Sequence, residues 1–176
     1  MSYKRLTPCI LINAGKAVQW FDDRTVISED VVSLAKHYSE QGADELIVFD
    51  LSNSEEEHEE AINLMRKINR VISIPMVAGG NIRRLEDVKK YLYAGAKRAI
   101  LNFSKAVSQD MLEDVSKRFG KGKIAVSLND FDGLFKRQHQ ISEYSSEVIF
   151  MHRLDLNSVL NVTDIPCVVL TDTMEQ

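Results

Sequence analysis

Short apolar runs alternate with longer amphipathic ones along the whole chain, and this alternation restricts the fold more than any single residue does. The runs at 7–13 (TPCILIN), 44–52 (DELIVFDLS), 72–80 (ISIPMVAGG), 97–104, 123–129, 147–153 and 165–172 read as strands. They are mostly apolar rather than strictly alternating, as expected of parallel strands covered on both faces by crossover helices. Between them lie helix-like segments at 28–42, 54–71, 85–95 and 108–120, with a weaker one around 133–146 and a short LNSVLNV segment at 156–162. In the first, Ser28 is a candidate cap, Val31, Leu34, Ala35 and Tyr38 recur at helical spacing, and Gly42 supplies a stop. In the second, the acidic start SEEE suits the positive end of a helix dipole. The fold class that follows is α/β: an incomplete TIM (β/α)8-type barrel with about seven parallel strands.

The chain also repeats itself faintly. SIPMVAGGN (73–81) echoes DIPCVVLTD (164–172), and DELIVFDLSN (44–53) echoes SEVIFMHRLD (146–155). PCILIN (8–13) echoes IAVSLN (124–129) more weakly, and the order is the same in both halves. Such order is what duplicated strand–helix blocks would leave.

A closed barrel of this type has eight strands. A seven-strand count leaves two readings, a single domain over 1–176 or the amino-terminal part of a longer chain. An open sheet edge favours covering by a second copy, as a homodimer, or by a following domain.

Composition removes several function classes. With 44% hydrophobic residues and a net charge of −4, the chain can bury a core but carries no basic stripe, so no nucleic-acid partner is expected. No apolar run approaches a membrane span and the amino terminus lacks a cleavage signal, which predicts a cytoplasmic protein without a membrane partner. Cys9 and Cys167 each follow a proline opening an apolar run and read as reduced core thiols. His37, His58, His139 and His152 have no metal-ligand spacing, so neither a metal nor a cofactor is expected. His58, inside EEEHEE, reads as part of a solvated helix face, and His152 is the histidine best placed for a pocket.

The motif richest in chemistry is VAGGNIRR (77–84), where a strand runs into paired glycines and a charged helix start. Bare backbone N–H groups at Gly79 and Gly80 can approach a phosphate, although paired glycines also serve as a plain tight turn. The arginines of NIRR either solvate the helix start or supply positive potential to an anion. Trp20 and Phe21 form an aromatic pair after the first strand, fit for a lid, an interaction surface or packing on the rim.

The combination of TPCILINAGKAV, GADELIVFDLSNS and SIPMVAGGNIRRLEDVKKYLYAGAKRAILNFS resembles the phosphoribosyl-handling barrels of histidine biosynthesis. These are the cyclase subunit of imidazole glycerol phosphate synthase and the phosphoribosylformimino carboxamide ribotide isomerase. The resemblance is strong over residues 4–128. It implies a phosphoribosyl small molecule or phosphate as ligand, with Gly79, Gly80, Asn81 and Asn102 on the phosphate and Asp50 facing the substrate. It also locates departures. Leu11 and Asn129 stand where the family places its acid–base aspartates, Gln19 replaces an active-site lysine, and Phe103 replaces a threonine. Asp50 and Asp130 are the carboxylates left as catalytic candidates. The chain is further similar to the amino-terminal segment of some proteins that join phosphoribosyl-AMP cyclohydrolase and phosphoribosyl-ATP pyrophosphohydrolase modules. The resemblance therefore implies a barrel of reduced catalytic power acting as a ligand-binding, scaffold or oligomerisation module; the alternative is an active cyclase- or isomerase-like enzyme.

Overall fold

A computed structural model of the chain describes residues 5–152 and 163–169. The elements run β1 (Cys9–Asn13), β2 (Lys16–Val18), β3 (Val26–Ser28), α1 (Val31–Glu40), β4 (Leu46–Asp50), α2 (Glu55–Val71), β5 (Met76–Gly79), α3 (Leu85–Tyr93), β6 (Arg98–Asn102), α4 (Ala106–Phe119), β7 (Ile124–Leu128), α5 (Phe131–Tyr144), β8 (Glu147–Phe150) and β9 (Cys167–Val169). Seven of these strands match the seven sequence runs, and helices separate the first six of them, through β8, as a (β/α) barrel-type fold requires. The LNSVLNV segment lies outside the described residues. No helix among the described residues is long and apolar enough to cross a membrane.

Two compact units make up the chain, one through Ala99 and one from Ile100 onward. In the first, β1 pairs in parallel with β4, and β4 with β5. All five residues of β4 are buried, because a strand flanked on both sides and covered on both faces has no wet face for polar side chains. Beneath this sheet pack Ile62, Met65 and Ile68 of α2 and Val88 and Tyr91 of α3, none more than marginally exposed. A buried ion pair joins Arg98 to Glu45 at 3.0 Å.

The first unit also holds two strands absent from the sequence reading. β2 turns back antiparallel on β1, and β3 pairs antiparallel with β2. Ala14 and Gly15, both at positive φ (48° and 74°), make the turn between β1 and β2. Three-residue strands carry too little periodicity to be seen in a sequence. The hairpin also corrects the first helix start. Ser28 closes β3, and Asp30 is the N-cap, accepting from the Ser33 N–H at 3.0 Å.

In the second unit β7 pairs in parallel with β8, and β8 with β9. α5 is interrupted at Arg137, whose φ of −127° breaks the helical run, in keeping with its weak periodicity. The internal echo is reproduced here in detail. Leu46 sits opposite Met76 as Val148 sits opposite Cys167, the residues that the sequence echo equates. The Leu46 N–H donates to the Pro75 carbonyl and the Val148 N–H to that of Pro166, each at 2.9 Å. The weakest echo is displaced. Asp44 donates to Leu6 and Ser146 to Ile124, so Ile124 corresponds to Leu6 rather than to Pro8.

Candidate functional site

The β4 and β5 ends of the first unit gather the densest polar cluster among the described residues, centred on Asp50. Its side chain has no solvent exposure. The Ser52 N–H and hydroxyl donate to it at 2.9 and 3.0 Å, and His58 Nδ1 lies 2.5 Å from Oδ2. Asn81 Nδ2 lies 3.3 Å from the same oxygen and donates more closely to the Ser52 carbonyl and hydroxyl, at 2.9 and 3.0 Å. Tyr91 donates its hydroxyl to the Gly80 carbonyl, with Asp50 Oδ2 3.4 Å away. Every polar neighbour of this carboxylate is therefore a donor, so Asp50 acts as a pure acceptor and His58 carries its proton on Nδ1.

The glycine turn is shaped by the same cluster. Gly80 has φ +95°, and a Cβ there would stand 2.1 Å from the Asp50 carbonyl oxygen. Asn81 follows at φ +56°, a conformation that asparagine tolerates and that directs its amide to Ser52. Beyond the turn, Asp87 of α3 accepts from the Arg83 and Arg84 N–H groups, each at 2.9 Å. A cavity of about 270 Å³ opens beside it, lined by Ser52–Glu55, His58, Asn81, Arg83, Arg84 and Asp87.

His58 corrects the sequence reading of a solvated position: the residue is only 6% exposed. The signal was present in the spacing, because His58 continues the stripe of Ala61, Ile62, Met65 and Ile68 one turn toward the helix start. The acidic neighbours obscured it. Its hydrogen bond to Asp50 raises the imidazole pKa above the usual value near 6.5, against the opposing effect of burial. Nε2 is buried and has no hydrogen-bond partner among the described residues. Burial drives the Tyr91 phenol well above its ordinary range, so it is a fixed donor. Tyr91 was not singled out by sequence, since a tyrosine on a helix stripe looks like any other core residue.

The remaining expected positions are divided between the two units. Leu11 is buried in β1 between Val18 and Phe49, and Gln19 is exposed, its N–H donating to the Thr25 carbonyl at the hairpin neck. Phe21 packs edge-on against Phe49 at 5.2 Å and against Trp20 at 5.1 Å, so the aromatic pair rests on the end of β4. In the second unit, Asn102 accepts from the Ser104 N–H and hydroxyl at 3.0 and 2.6 Å, while Phe103 is buried. Asn129 and Asp130 are exposed, and Asp130 caps α5 by accepting from the Gly133 N–H at 2.8 Å. His152 follows β8 and is exposed. No group of three or more potential metal ligands occurs among the described residues. Burial pushes the Cys9 thiol up to about 12 and the Cys167 thiol up to about 11, so neither is an activated nucleophile.

Parallel strands alternating with helices, a hairpin after the first strand and a glycine turn at β5 define a barrel-type α/β protein of one family. The family model for histidine biosynthesis proteins matches residues 5–169, and the chain belongs to that family. It is similar to the imidazole glycerol phosphate synthase subunit HisF of Halalkalibacterium halodurans, at 37% identity over 132 residues, and to that of Flavobacterium psychrophilum, at 36% over 132 residues. The same subunit of Exiguobacterium sibiricum is 33% identical over 130 residues. Each match covers 73% of this chain and 52% of the relative, so the matched part spans about half the length of these curated relatives.

Proposed function

We propose that this chain is a histidine-biosynthesis barrel module that binds a phosphorylated ligand of the phosphoribosyl class without performing the relatives' full reaction. One observation carries the reading: the residues at the expected acid–base positions cannot transfer a proton there. Leu11 is apolar and buried, and Asn129 is an amide. Of the two carboxylates left as candidates, Asp50 is enclosed by donors and Asp130 holds a helix cap. General acid–base catalysis needs groups free to take up and release a proton beside the substrate. Ligand binding draws support from the turn after β5, where Asn81 and the two exposed arginines Arg83 and Arg84 line one cavity and Gly79 and Gly80 directly precede them in the chain. The module works in the cytoplasm, as a homodimer or beside a following histidine-pathway domain.

Calorimetric titration of the chain with a phosphoribosyl intermediate of the pathway tests this, alongside Arg83→Glu. The side chain of Arg83 is exposed and only its backbone N–H serves the fold, so charge reversal leaves the turn intact. Binding that weakens about tenfold in the variant, without turnover, supports the reading. Identity of 33–37% to synthase subunits favours the second reading, an active enzyme, and turnover by the wild-type chain would establish it.

A further inference from the structure

The cluster around Asp50 ties two chain segments together: the end of β4 and the turn that leaves β5. Asp50 is reached by His58 from α2, and its neighbour Ser52 is held by Asn81, while Tyr91 of α3 holds the Gly80 carbonyl. Remove the proton donor at Nδ1 and Oδ2 loses its nearest partner, in a site with no water-exposed alternative. We propose that His58 is a positioning residue for the β5 turn: through Asp50 it fixes Gly80 and Asn81, and its proton at Nε2 sets how firmly that turn holds an anionic group.

The surroundings make the protonation state matter. On its own helix His58 faces Glu55; from β4 it faces Asp50; from α3 it faces Asp87 and Tyr91, and Arg83 and Arg84 line the same cavity. Lys90 of α3 is engaged by Glu59 and Glu55. The charges closest to the ring are thus acidic, and a protonated imidazole pairs with Asp50 as an ion rather than as a neutral donor, which strengthens the bond. Because folded His58 holds its proton more tightly than an unfolded histidine, this contribution is complete below the ordinary value near pH 6.5. It is lost as pH rises through the raised value in the folded chain. The turn is accordingly firm below the ordinary histidine value and looser once pH has passed the raised one.

The part concerning anions rests on the ligand reading above; the part concerning the turn does not. Two measurements on the whole chain separate them. In the first, the imidazole nitrogens of His58 and the amides of Gly80 and Asn81 are followed by NMR as pH rises. The expected result is one shared midpoint above 6.5. His58→Asn, which presents a neutral donor at the place of Nδ1, abolishes that titration at Gly80 and Asn81. In the second, inorganic phosphate is titrated calorimetrically into both proteins. The ratio of their affinities, in which ionisation of phosphate itself cancels, falls by about fivefold across the same midpoint, the low end of typical coupling between sites. Gly80 and Asn81 amides that ignore the His58 titration overturn the positioning role, whatever phosphate does. If His58→Asn fails to fold, the wild-type titration decides alone. Shared titration without phosphate binding at any pH overturns the ligand reading and leaves His58 as the anchor of the turn.

Discussion

At Gly80 the missing side chain answers to a neighbouring strand. With φ at +95° and the Asp50 carbonyl 2.1 Å from where a Cβ would lie, the residue is glycine because β4 and the turn approach too closely for anything else. Gly80→Ala is therefore expected to destabilise the chain by more than about 3 kcal/mol, measured by urea unfolding, through overlap with backbone that cannot move aside. A charged residue at Gly80 would report on folding, not on ligand, which is why the binding test uses Arg83. Leu11 gives the converse case. It is 3% exposed, between Val18 and Phe49, so restoring a carboxylate there buries an unpaired charge. Leu11→Asp should cost about 3 kcal/mol or more in the same assay. Asn129→Asp, on an exposed position, should change stability by less than about 0.5 kcal/mol.

Among the elements, α2 carries the most. Its start is held by Ser54, whose hydroxyl accepts from the Glu57 N–H at 3.2 Å, while Glu57 reaches back to the Asn53 N–H at 2.9 Å. Two otherwise unpartnered donors are satisfied in the manner of a capping box, and three glutamates in the first turn complement the dipole. Ser54→Ala should cost about 1 kcal/mol by thermal or urea unfolding. Its larger effect should fall on His58 one turn later, seen as a displaced imidazole resonance, because the helix start sets the ring against Asp50. In the hairpin of β2 and β3, Val26 and Ile27 are exposed on the outer strand, which pairs only with β2 among the described residues.

For the molecule as a whole, the exposed apolar edge of β3 is the described feature that best supports self-association, since an unpaired edge offers both backbone and side-chain surface to a second copy. Sedimentation velocity over a range of concentrations should show a dimer that dissociates when Ile27 is replaced by Lys; a concentration-independent monomer would refute this. The Glu45–Arg98 pair belongs to this scale because it is buried and joins the start of β4 to the start of β6. Arg98→Ala should cost about 3–5 kcal/mol in urea unfolding, mostly by stranding Glu45 in a dry environment.

Amino-acid order by itself determined the alternation of seven apolar strands with helices, the glycine turn at 79–80 and the duplicated strand pairs, because each is a local pattern of apolar spacing or backbone freedom. The Ile-Pro openings of β5 and β9 were legible as an echo, and the structure adds the matching hydrogen bonds of Leu46 and Val148. The tertiary structure alone decided what the polar residues are for. Asp50 and His58 are eight residues apart, Tyr91 lies 41 beyond Asp50, and no periodicity announces that a helix, a strand end and a second helix converge on one carboxylate. The resemblance points Asp50 at a ligand; the fold brings donors from α2 and α3 to it. Hydrophobic spacing is a property of neighbours in sequence, whereas a hydrogen-bonded cluster is a property of neighbours in space.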